Sequence, residues 1–368
     1  MNTLLKKTKH TALIKLVDSA MEIELDHETY LQMHIESMSR NLEKIGQNAS
    51  QFSIPHTPRK YLANLAKEVD ELFSSEPSML SLTGPICIVG DLHGQLFDLY
   101  RIFQVYNLPP YTSYLFLGDL VDRGEFSIET LSFVYVLKVL FPNNIYLIRG
   151  NHEFRSTTID GGLFAEVEKL YPRSNIFEIL IDSFKNIPLS ALINNQILCI
   201  HGGVSPGLSK LSQLQTIERP IADFNDPIVC GLLWSDPSQT VDKFMPSPRG
   251  TGFLFGSRAV EKFLSHNQIQ CIVRGHECIK EGLISVFDNK VLTVFSASNY
   301  CGVTENKSAV IVIDASSYFY HKQFQPLPYI KRTQINYHQS DVNNTSLTKT
   351  VHPIIARIPR NSKSNCLS

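Results

Sequence analysis

The sequence predicts an α/β protein in which strands alternate with helices around one large core. Three observations carry that expectation. Short β-rich runs recur from Ile86 onward, and the first three lie about thirty residues apart, the length of a strand–helix–strand unit. Apolar residues at helical spacing fill the region before them. Hydrophobic residues make up 43% of the 368 and charged residues 19%, so the chain can bury a large interior and is too apolar for disorder.

The elements follow in order. Leu31, Ile35, Met38, Leu42 and Ile45 set out a helical lead that starts near Leu13. A polar break, GQNASQFSIPHTP, precedes a second amphipathic helix from about Pro58 to Leu72. The runs CIVGD, YLFLGD, IYLIRGN, LCIHGG, CIVRGH and LTVFSASN read as buried strands. The last strand-like run, AVIVIDA, ends near Ala315, and beyond about Tyr329 the chain turns polar.

Charge and cysteine usage exclude several classes. Lys and Arg total 34 against 35 Asp and Glu, a net charge of −1, whereas nucleic-acid binders are usually strongly basic. No apolar run reaches the 18 residues or so of a membrane span. Seven dispersed cysteines with no CxxC pair read as reduced thiols, so the expected location is cytoplasmic or nuclear.

The strand ends hold the chemistry. The first run leads into Asp91 and His93, the second into Asp119, Asp122 and Arg123, the third into Asn151, His152 and Glu153. His201 and His276 follow two further runs, and the last ends at Asn299 and Tyr300. Ligands of α/β sheets bind beyond the carboxyl ends of strands, where loops converge. One such block is readily a turn with a stray histidine. Five blocks of ligand types at strand ends describe one site.

Asp, Asn and His without thiolate favour hard or intermediate divalent ions such as Mn, Fe or Zn. Asp91, His93, Asp119, Asn151, His201 and His276 are too many for one catalytic ion. They suit two ions roughly 3.5 Å apart that share a carboxylate and a hydroxide. Arg123 and Arg249 offer forks to phosphoryl oxygens, and His152, oriented by Asp122, can protonate a leaving oxygen. A Cys-x5-Arg loop, a GxxxxGK[ST] loop and HExxH are all absent. Metal-assisted attack of water on a phosphate ester remains.

At these residues the sequence resembles the PPP family of serine/threonine protein phosphatases, which includes the type-one, type-2A and calcineurin catalytic subunits. GDLHGQ, GDLVDRG, RGNHE, HGGVSP, LLWSDP, PRGTGFLFG, RGHE and FSASNYCG occur in the family's order, from roughly Ile35 to Gln325. The early motifs are shared with other metallophosphoesterases, whereas WSDP and SASNYCG are specific to protein phosphatases.

The resemblance implies a metallophosphoesterase fold, a central β-sandwich flanked by helices. It implies one metal on Asp91, His93 and Asp119, and a second on Asp119, Asn151, His201 and His276. His152, paired with Asp122, would be the general acid, Arg123 and Arg249 would bind phosphate, and Tyr300 would sit at the mouth. The implied reaction is hydrolysis of phosphoserine and phosphothreonine by a metal-bridging hydroxide, without a phosphoenzyme. Two divalent ions (Mn²⁺ in vitro, Fe or Zn otherwise), phosphoprotein substrates and regulatory subunits are the implied cofactors and partners. The expected division is a helical extension (residues 1–34), a catalytic domain (35–325) and a polar, flexible tail (326–368).

Two alternatives stand beside this reading. A nucleotide-type metallophosphoesterase, such as a diadenosine tetraphosphate hydrolase, shares the early motifs but lacks WSDP and SASNYC. A non-catalytic scaffold predicts damage at metal or acid positions, and all of them are intact. Departures from the family carry their own expectations. Ser298 replaces a usual proline and predicts a looser loop before Tyr300, Gly161 stands where an aromatic residue is common, and Gly275 adds freedom beside His276. Trp234 is expected as a core anchor, and His10, His56, His266 and His352 as surface residues.

Overall fold

The computed structural model describes residues 25–338. Two sheets stack face to face. One has five strands, in the order Phe319–Phe324, Ser308–Ile313, Ile86–Val89, Tyr114–Phe116 and Ile145–Leu147, and its last three run parallel. The other has six, in the order Leu283–Val286, Val291–Val294, Cys271–Arg274, Ile197–Ile200, Ser190–Ile193 and Met79–Leu82. Its strands at Val291, Cys271 and Ile197 are again parallel. Each sheet thus delivers three parallel carboxyl ends to one edge of the sandwich. There Asp91 and Phe295 form an isolated parallel bridge that ties the two sheets together.

Burial on both faces explains why these strands read as continuous apolar runs. Ile86 and Ile88 face the sandwich interior with Leu115, Cys199 and Val273. Their neighbours Cys87 and Val89 point the other way, into a core shared with the helices Arg59–Ser75, Leu96–Tyr106, Ser127–Leu140 and Ile176–Phe184. Leu198, Ile200 and Ile272 likewise meet the helices Pro227–Trp234 and Ser257–Asn267 on the opposite side. The layers are helix, sheet, sheet, helix, as expected. Among the described residues no helix is long and apolar enough to cross a membrane.

Both ends differ from the expected division. Residue 34 falls inside the helix His27–Met38, which opens where the Asp26 carboxylate accepts the Thr29 N–H at 2.6 Å. Tyr30, Leu31 and His34 on that helix are buried against the body. The second seam, at 325/326, is also packed. Leu327, Ile330 and Ile335 are buried, and Asn336–His338 pairs in parallel with Ser53–Pro55. Three apolar anchors spaced among polar residues suffice to seat this segment, although its composition reads as tail. The strand Phe319–Phe324 leaves no apolar run in the sequence, because four of its six residues are exposed at the sheet edge. The first part of the helical lead, and the tail beyond residue 338, lie outside the described residues.

Candidate active site

The six expected metal ligands converge at the shared sandwich edge, all of them buried. Their backbones turn sharply as they leave the strands. His93, Asp119 and His276 all have left-handed φ, between 43° and 70°, which non-glycine residues adopt only where the surroundings impose it. Asp91 accepts the His276 N–H at 3.0 Å, so the two sheets are joined through the ligands themselves. Gly275 does not add freedom here. A Cβ on it would lie 2.3 Å from Asp91 Oδ1, so its role is close approach.

The donor pattern inside the cluster fits divalent cations. His93 Nδ1 donates to the Val121 carbonyl at 2.9 Å and His201 Nδ1 to the Leu117 carbonyl at 2.8 Å. Each therefore turns an Nε2 lone pair inward, the arrangement usual for metal-bound histidine. Inside, His93 Nε2 lies 3.5 Å and His201 Nε2 3.4 Å from Asp119 Oδ2. Asn151 Oδ1 lies 2.8 Å from His201 Nε2 and 2.9 Å from His276 Nδ1. Nitrogen and oxygen atoms that can each offer a lone pair to a cation thus face one another in a buried space.

The electrostatics agree. Burial alone would keep His201 neutral, yet Asp119 and Asp91 lift its pKa to about 9, so the cluster draws positive charge. Burial pushes the Asp91 carboxyl up to about 6 and holds His93 down at about 3, against the pull of Asp119. Two groups of ligand atoms lie close enough to hold an ion, His93–Asp119–His152 and Asp119–His201–His276. Asp119 belongs to both.

His152 stands beside the cluster with its Nδ1 2.7 Å from Asp122 Oδ2. That bond commits one nitrogen and leaves Nε2 for the cavity. Burial disfavours its charge, but Asp119 and the Asp122 hydrogen bond outweigh it and raise the imidazole pKa. Gly161 packs directly against this pair, since a Cβ there would come 2.1 Å from Asp122 Oδ2. The glycine that departs from the family thus gives the helix Arg155–Gly161 room to close on the His–Asp pair.

A cavity of about 350 Å³ opens above these groups, lined by His93, Asp119, Asn151, His152, His276 and Phe295 at its base and by Arg123, Arg249 and Tyr300 toward the rim. Arg249 Nε donates to Asp236 Oδ2 at 2.6 Å. The buried Arg274 donates to the other oxygen of Asp236 at 2.9 Å, so one carboxylate holds two arginines. The Tyr300 ring leans on His93, 5.1 Å between centroids. Trp234 packs against the second core as expected, yet it does more. It is half-buried, lines the cavity and meets the His276 ring edge-on at 5.5 Å.

Ser298 differs from expectation. It is buried, its hydroxyl donates to Asp98 at 2.9 Å and accepts the Leu327 N–H at 3.0 Å, and its own N–H reaches Asp98 at 2.8 Å. The loop before Tyr300 is therefore tied down on both sides, not loosened. Two further residues went unassigned in the sequence. Glu153 accepts the N–H groups of Asp119, Leu120 and Gly150 at 2.8–2.9 Å, which locks two ligand loops together. Its place inside RGNHE was the available signal. Asp236, in WSDP, was the other. His56 and His266 are exposed as expected, while His10 and His352 lie outside the described residues.

Comparison with known proteins agrees with this geometry. The family model for calcineurin-like phosphoesterases matches residues 84–280. The chain is 43% identical over 243 residues to the serine/threonine-protein phosphatase PP2A-like PPG1 of Candida albicans, 66% of this chain and 58% of that protein. It is 40% identical to the serine/threonine-protein phosphatase 4 catalytic subunit of Saccharomyces cerevisiae, over 70% of this chain and 84% of that one. A solved Saccharomyces cerevisiae serine/threonine phosphatase, described as similar to human phosphatase PP5, superposes with a TM-score of 0.71 at 34% identity. That match covers 82% of this chain and 98% of the other. With the sandwich, the ligand order and the strand-end loops all in agreement, the chain belongs to the calcineurin-like phosphoesterases and, among them, to the PPP serine/threonine protein phosphatases.

Proposed function

We propose that the chain hydrolyses phosphoserine and phosphothreonine in proteins by direct transfer of the phosphoryl group to water. The observation that supports this most is the buried cluster of acceptors at the strand ends, with a His–Asp pair beside it. Asp91, His93 and Asp119 would hold one divalent ion, and Asp119, Asn151, His201 and His276 the other. When bound, such ions supply an activated water and neutralise charge on the phosphoryl oxygens. The nitrogen and oxygen donor set suits Mn²⁺, Fe or Zn.

The remaining steps belong to the chain's own side chains. Arg123 and Arg249 would grip the phosphoryl group from the rim, the latter aimed by Asp236. Asp122 fixes the His152 ring, so its Nε2 proton can pass to the serine or threonine oxygen as the P–O bond breaks. The hydrogen bond to Asp122 favours the protonated form of His152 that this step needs. Cys278 also lines the cavity, but burial pushes its thiol up, which disfavours a thiolate nucleophile. The Saccharomyces relative described as a catalytic subunit suggests regulatory subunits here too.

Phosphate release from phosphoserine peptides, measured with added Mn²⁺ and with chelator, tests the reading. Release that needs metal, with diadenosine tetraphosphate left uncleaved, supports it. Cleavage of the dinucleotide alone would favour a nucleotide phosphoesterase, and no release from any substrate a scaffold.

A further inference from the structure

We propose that Arg332 is a positioning residue for Arg123, acting from the C-terminal segment through the loop that carries it. The proposal rests on the reading of Arg123 as a phosphate ligand. Asp122 and Arg123 are consecutive non-glycine residues in the left-handed region, with φ of 72° and 67°. Such a pair persists only where its surroundings impose it. No ion pair among the described residues fixes the Arg123 guanidinium, so this strained backbone sets its aim.

Little of the constraint is local. Gly124 N–H donates to the Asp122 carbonyl at 2.7 Å, and Arg123 N–H donates to the Gly161 carbonyl at 2.9 Å. The Asp122 carboxylate is held as well, by His152 at 2.7 Å and by the Leu163 N–H at 2.8 Å, and a further set of contacts leads to the segment that packs after Gln325. Arg332 N–H donates to Glu125 at 3.0 Å, and the Tyr329 hydroxyl lies 3.5 Å from the Arg123 carbonyl oxygen. The Arg332 side chain is the anchor. It is buried, grips both oxygens of Glu129 at 2.5 and 2.7 Å, and also donates to Glu166 and the Tyr337 hydroxyl.

Glu166 carries the grip onward. Its oxygens accept the N–H groups of Ser127 and Ile128, the first turn of the helix directly after the loop. Ser127 Oγ in turn accepts the Asp122 N–H at 3.2 Å. Arg332 therefore reaches the loop twice, through Glu125 from outside and through Glu166 and Ser127 from below. The two carboxylates that the guanidinium holds, Glu129 and Glu166, would repel one another without it.

The test uses the full chain loaded with Mn²⁺ and reads kcat, KM for an aryl phosphate, the Ki of inorganic phosphate and the thermal midpoint. Arg332→Met should raise KM and Ki about tenfold while kcat falls less, and Arg332→Lys, which keeps an ion pair, should recover much of the loss. Glu125→Ala cuts only the outer route and spares the buried network. It should raise Ki by a smaller factor with little change in thermal midpoint, and it decides the matter if Arg332→Met does not fold. In an Arg123→Ala background, neither change should raise Ki further. Unchanged Ki in Arg332→Met and Glu125→Ala, with only a smaller active fraction, would make Arg332 purely structural. If Arg123→Ala itself raises Ki, that result sinks the positioning role alone. If Arg123→Ala also leaves Ki unmoved, the phosphate-ligand reading falls and this proposal with it.

Discussion

The base of the cavity and its rim are built in opposite ways. At the base, Asp91, Asp119, Asn151, His201 and His276 each stand within a few residues of a strand end, buried and aligned by nearby backbone groups. At the rim, Arg123, Arg249 and Tyr300 ride on loops supported by contacts from other loops and segments: Arg332 and Tyr329, Asp236, and the Asp98–Ser298 pair. Chemistry that needs a fixed array of acceptors sits on the stiff part of the fold. Groups that meet a variable substrate sit on loops, where contacts outside the sheets can adjust them. The difference predicts that damage at the base removes turnover, whereas damage at the rim shifts substrate affinity.

The largest effect is expected at the base. Asp119→Asn removes the one carboxylate charge that both ligand groups share and should cost several orders of magnitude in kcat, with loss of bound metal by elemental analysis. A variant that keeps its metal and stays within tenfold of normal turnover would break the comparison at its strongest point. Next comes His152→Asn, expected to slow phosphopeptide hydrolysis about 10²- to 10⁴-fold. Activated aryl esters, whose leaving groups need no proton, should suffer far less. Equal losses on both substrates would count against an acid at this position.

The rim should respond differently. Arg249→Lys replaces a fork, held on one side by Asp236, with a point charge. KM should rise about tenfold with a smaller change in kcat, as for lost binding that ground state and transition state share. A collapse of kcat with KM intact would move Arg249 into the same class as the base.

How much was legible follows the same division. The strands that end at Asp91, Asp119, Asn151, His201 and His276 announce themselves, because each couples a run buried on both faces to a glycine and a ligand type. What stayed hidden depends on partners far away in the chain. Ser298 reads as a missing proline and hence as slack, until Asp98, 200 residues earlier, is seen to accept from both its hydroxyl and its N–H. Trp234 reads as core because aromatic residues usually are, and only the His276 ring places it at the cavity. Pro326–His338 reads as tail because a few well-spaced anchors leave no periodic signal.

Ser298 gives the smallest effect and the finest test of the comparison. A proline there, as the family usually has, would lack the N–H that reaches Asp98 as well as the hydroxyl. Ser298→Ala removes only the hydroxyl. Leu327 N–H then loses its buried acceptor, while Asp98 keeps the Ser298 N–H, the Ser308 hydroxyl and Arg101 as donors. One orphaned buried donor costs about 1–3 kcal/mol, which should lower the thermal midpoint by a few degrees. The acceptor cluster does not touch this bond, so aryl phosphate turnover should stay within about twofold of normal, well under the tenfold that 1.4 kcal/mol of transition-state stabilisation represents. A lower midpoint with preserved turnover would show that stability and chemistry separate at this loop. A hundredfold fall in kcat instead would mean that the Tyr300 loop acts as part of the base, and the division drawn between the two regions would have to move outward to include it.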